Sequence, residues 1–82
     1  MSCEEANKEF VESLNAWVRV EEELKDLLLS YVGTPGHPGE PIIPGSEKFE
    51  RVERLMEESP KAHERHRAAL VAYIEAKKRH RD

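Results

Sequence analysis

His63 and His66 are the residues of this chain whose type and spacing come nearest to chemistry. On a helix, positions three apart share a face, so two imidazoles there can reach one zinc or nickel ion. A protein-held metal needs further ligands, and Glu21 is the natural candidate because it interrupts an otherwise apolar row. Yet the familiar helical signatures are missing: there is no His-Glu-x-x-His and no Glu-x-x-His of the di-iron bundle type. Polar residues on a helical seam more often set alignment than hold metal. The expected role of the two histidines is therefore to edge a helix interface near Trp17, with no metal and no cofactor.

Other reactive side chains have plainer explanations. Glu21 opens the run Glu21–Glu23, of which only one residue can point along a seam, where it would pair with a cation across an interface. Ser30, Ser46 and Ser59 sit at expected helix ends, where capping accounts for them better than nucleophilic work. Cys3 is the only cysteine, so an internal disulfide is ruled out, and Glu4 and Glu5 beside it disfavour a thiolate. No catalytic constellation emerges, so the expectation is a protein that is not an enzyme.

Charge is unevenly placed. Residues 1–60 hold 6 Lys/Arg against 14 Asp/Glu, whereas residues 61–82 hold 7 against 3. Lys77, Lys78, Arg79 and Arg81 form a compact cationic cluster able to touch phosphates. A net charge of −4 opposes nucleic-acid binding as the main task. The tail reads better as a solvated helix end that pairs with acids elsewhere.

These residues are positioned by a helical pattern. Phe10, Leu14, Trp17, Leu24, Leu28 and Tyr31 step in heptads, with Glu21 at the skipped position. Val11 and Val18 widen the stripe on one side, Val20 and Leu27 on the other, so it is broader than a two-stranded zipper requires. The spacing predicts a helix over about 4–32, with Gly33 as C-cap and Pro35 preventing continuation.

A second helical path starts at Ser46 as N-cap. Its seam is Phe49, Val52, Met56, Ser59, His63, His66, Leu70 and Tyr73, with Leu55, Ala62, Ala69 and Ala76 in a neighbouring column. Pro60 lacks an amide proton, and Ser59-Pro60 is a good helix start. That predicts a kink or break there, with helices over about 46–58 and 60–79.

Between the two lies "GTPGHPGEPIIPG", a Pro/Gly-rich connector over 33–45 with proline at every third position. Three Gly triplets are too few for a collagen helix. A polyproline ridge that docks on aromatics, or shows "PxxP" to a partner, remains open, as does a stiff linker. Extended, it could span about 40 Å and leave the helices parallel. Folded near Gly39 it gives an antiparallel hairpin, which the opposed charges favour. Glu21 would then lie near Met56 and Ser59, and the histidines near Leu14 and Trp17.

The fold class expected is all-α: a single helical domain of 82 residues, a hairpin dimerising into a four-helix bundle. The expected interface is Phe10, Leu14, Trp17, Glu21, Leu24, Leu28, Tyr31, Val52, Met56, Leu70 and Tyr73. No segment reads as a signal peptide or an apolar span, so a cytoplasmic protein without membrane contact is expected. The leading function is a self-associating module that could also bind another protein. The alternatives are a metal-binding bundle using His63 and His66, and a nucleic-acid-contacting regulator using residues 77–81.

Overall fold

The computed structural model describes residues 2–79, and within them two helices, α1 (Cys3–Ser30) and α2 (Glu47–Arg79), pack side by side as a hairpin. α1 begins where Ser2, in extended conformation, accepts the Glu5 amide at 3.1 Å on its hydroxyl. Glu4 and Glu5 then place negative charge at the positive end of the helix dipole. α2 begins at Ser46, as expected: the Phe49 amide donates to its Oγ at 3.3 Å.

The end of α1 differs from expectation. The helix stops at Ser30, and Tyr31, not Gly33, caps it with an ordinary right-handed backbone. The Tyr31 and Val32 amides donate to the Leu28 and Leu29 carbonyls at 3.1 and 3.0 Å, tightening the last turn so that a left-handed glycine is not needed.

The glycine that turns the chain is Gly36. Thr34 and His37 exchange two backbone hydrogen bonds of 2.8 and 2.9 Å around Pro35 and Gly36, whose φ is +89°. Proline followed by a positive-φ glycine is the pattern of a type II turn. Polyproline needs φ near −75°, so the ridge of four prolines is interrupted at Gly36. Gly39 then passes so close to Tyr31 that a Cβ would stand 2.2 Å from the Tyr31 carbonyl oxygen. The Glu40 amide donates to the Ser30 carbonyl at 3.0 Å, fastening the returning connector to the end of α1.

Pro60 breaks nothing. α2 runs as one helix of 33 residues through Ser59 and Pro60, so the division into helices over 46–58 and 60–79 is not found. Proline cannot donate to the carbonyl four residues earlier, that of Met56. Pro60 and Met56 are both exposed, so water can serve that carbonyl. What keeps the helix continuous is α1 itself. Val52 and Leu55 before the proline and Ala69 and Ala76 after it all bury against the same helix.

The helices are also rotated from the expected seams. The buried spine of α2 is the column Leu55, Ala69 and Ala76 with Val52, while Met56 is 51% exposed and Leu70 is exposed as well. On α1 the fully buried residues are Ala6 and Ser13, while Phe10, Leu14 and Trp17 are half-buried and Leu28 is exposed. Alanines and a serine make up most of this spine. The bulky seam residues are left on one flank.

Candidate functional site

Four aromatic rings and two imidazoles make up that flank or border it. Trp17 lies against His63 with ring centres 4.6 Å apart, and stacks on His66 at 5.7 Å and 23°. Phe10 meets His66 at 5.0 Å and stacks on Tyr73 at 5.0 Å and 21°. Each separation lies in the range where offset aromatic contacts are favourable. Lys77 caps the row over Tyr73, 5.2 Å from the ring centre. At the connector end, Lys48 sits 4.8 Å over Tyr31, whose hydroxyl is buried without a partner.

The antiparallel register is as expected, with Glu21 by Ser59 and the histidines by Trp17. Trp17 Nε1 donates to Glu21 Oε1 at 3.3 Å, and the Ser59 hydroxyl donates to the same oxygen. Glu21 is thus held by Trp17 and Ser59 rather than by a cation. His66 is engaged beneath it: its Nδ1 lies 3.1 Å from Ser13 Oγ. The Ser13 hydroxyl also lies 3.1 Å from the Phe10 carbonyl, and when its one proton goes there the His66 tautomer protonated at Nδ1 completes the pair by donating to the serine. Ser13 is 0% exposed, so this serine–histidine pair offers no nucleophile to solvent. Its work is structural: it satisfies two polar groups inside the helix contact.

His63, His66 and Glu21 therefore do not converge. Among the described residues no three His, Cys, Asp or Glu side chains are placed to hold one metal ion. Of the cationic cluster, Lys77, Lys78 and Arg79 close α2, and Arg81 lies outside the described residues. Among the described residues no helix is long and apolar enough to cross a membrane.

The opposite flank of the same helix contact is ionic. Arg65 forks onto Glu9, with Nε and Nη2 at 3.0 and 2.8 Å, and Arg51 Nε reaches Glu23 at 2.5 Å. These bonds hold the Glu9 and Glu23 carboxyls below the ordinary carboxylate range, and raise Arg65 and Arg51 in turn. The sequence pattern singled out neither pair, because exposed Glu and Arg residues carry no apolar periodicity. The signal available was register: a loop centred near Gly39 brings Glu9 level with the stretch around Arg65.

Large hydrophobic residues of both helices are left exposed. Val11, Val18, Leu28 and Leu29 come from α1, and Met56, Leu70, Val71 and Ile74 from α2. Two open grooves mark the α1 side, one along Trp17, Val18, Glu21, Glu22 and Lys25, the next along Leu24, Leu28, Leu29 and Val32. Compared with family models, curated proteins and solved structures, the chain matches none.

Proposed function

We propose that this chain is a helical self-association module whose working surface is the aromatic–histidine face. One observation carries the reading: the two flanks of a single helix pair are closed in opposite ways. One is finished by Arg–Glu bridges that tolerate water, and the other leaves half-buried rings and exposed aliphatics with nothing over them. The hairpin measures 61 × 27 × 13 Å, so it is one helix layer thick. Stable domains are built from at least two layers around a core. Here Leu55 is the only large apolar side chain below 2% exposure among the described residues. A core so small leaves folding near the margin, and a second layer on the apolar face supplies what is missing.

Native mass spectrometry and sedimentation, on protein purified without a metal-affinity step, test this. The expected result is a metal-free assembly larger than the 9.5 kDa chain, lost when Met56→Glu and Ile74→Glu are combined. A species of single-chain mass at every concentration, unfolding cooperatively, overturns it. Stoichiometric metal lost in His63→Ala would restore the metal-binding alternative.

A further inference from the structure

Building on the self-association reading, we infer that the occupant of the aromatic face is a second copy of this chain, with α1 of each hairpin lying on α2 of the other. Two flat hairpins can meet face to face through two kinds of twofold axis. An axis along the length of the slab puts α1 over α2 of the other copy, and an axis across it puts α1 over α1 and α2 over α2. Both leave every neighbouring pair antiparallel. Apolar fit does not choose between them, because the face carries aliphatic residues at both ends and rings between.

Charge does choose. α1 carries eight acidic side chains against three basic, and α2 seven against nine. Stacking α1 on α1 would set two strongly acidic helices together along their whole length, which costs stability and slows encounter. Stacking α1 on α2 avoids that repulsion, because α2, with Arg51 and Arg65 already paired on the outer flank, keeps seven basic side chains against seven acidic ones. Register agrees at the rim. Lys25, which borders both grooves, comes within one helical turn of Glu53 of the second copy when the internal pairing height is kept, the height that sets Glu21 beside Ser59.

Area is sufficient. Two helices side by side over the 28 residues of α1 present a face of about 42 × 20 Å, roughly the 800 Å² per partner of a standard specific interface. The interface centre then falls at Trp17 and His63, close to the midpoints of α1 and α2. The ion-paired flanks face outward on both sides of the resulting four-helix bundle.

The test uses single-cysteine variants in a Cys3→Ser background. Val18→Cys and Met56→Cys chains are co-refolded in equal amounts and treated with a short bis-maleimide, and products are separated by intact mass. The mixed Val18→Cys/Met56→Cys product is expected, with the Val18→Cys self-product lost. A dominant Val18→Cys self-product means α1 lies on α1, which overturns the pairing while self-association stands. A dimer by sedimentation that gives neither product overturns the choice of face. Chains that sediment singly overturn both this inference and the reading beneath it. Charge exchange gives an independent check: Lys25→Glu and Glu53→Lys should each weaken the dimer, and the double variant should recover it.

Discussion

The two flanks of the α1–α2 contact are built from the same pair of helices and share one spine, yet they are finished by different physics. On one, Glu9–Arg65 and Glu23–Arg51 reach across the gap with their side chains partly open to water. Such bridges contribute little energy, but they put charge over that edge of the contact, where none of the exposed large hydrophobics makes a bridge. On the other, Phe10, Trp17, His63, His66 and Tyr73 interleave without closing. Aromatic stacking aligns the helices, but water still reaches the aliphatic edge at Val18, Met56 and Ile74. The lesson is that side chains on the margins of a contact decide whether a helical layer is an outside surface or an invitation to another layer.

The largest expected effect comes from the spine that both flanks share. Leu55→Ala should cost about 2–5 kcal/mol, the range for a fully buried leucine. In so small a core this should abolish cooperative melting by circular dichroism. If the melt survives with only a small shift, the spine is not the shared support described.

Trp17→Ala separates the flanks. It removes the ring that touches both histidines and should cost about 2 kcal/mol in thermal or denaturant melts. It should also weaken association, whereas a change on the ionic flank should not. Equal loss of association from Arg65→Ala would erase the distinction between the faces.

Ser13→Ala should cost about 1 kcal/mol, because it removes the buried partner of the half-buried His66 Nδ1. Adding His66→Phe to that variant should recover part of the loss, since an apolar pair leaves nothing unsatisfied. Non-additivity in that double-variant cycle measures the pair directly.

The smallest effect belongs to the ionic flank. Glu9 and Glu23 have folded values depressed by their arginines, so their contribution is fully present above the ordinary carboxylate range. It is lost as pH falls through the depressed folded values. Melts of the wild type and of Glu9→Gln/Glu23→Gln should therefore differ slightly near neutral pH and converge in acid, with salt shrinking the difference. A gap that grows on acidification would have the wrong sign for this assignment.

Much of this was legible along the chain. Two long amphipathic segments and a Ser46 cap rest on local rules, heptad spacing and a side chain that accepts an amide three residues on. The antiparallel register also followed, because a connector folding near Gly39 brings Glu21 to Ser59 and Trp17 to His63. Gly36 was harder to read: three glycines share one period, and only the closed Thr34–His37 turn shows which takes the positive φ.

Three matters were decided by tertiary contact. The rotation of each helix about its axis was one, since the apolar stripe exceeds what one partner covers, and a spine of alanines allows a closer approach than the bulkier seam. The fate of Pro60 was another: locally it is a start signal, but α1 engages α2 on both sides of it, and a break would give up half of that burial. The third was the role of Ser13, a residue without periodic weight that became buried because His66 arrived opposite it. Local rules act between residues a few positions apart and are written in the sequence itself. Which face becomes the core depends on the volume and reach of side chains about fifty residues away, as from Ser13 to His66, and only packing the two helices together settles that.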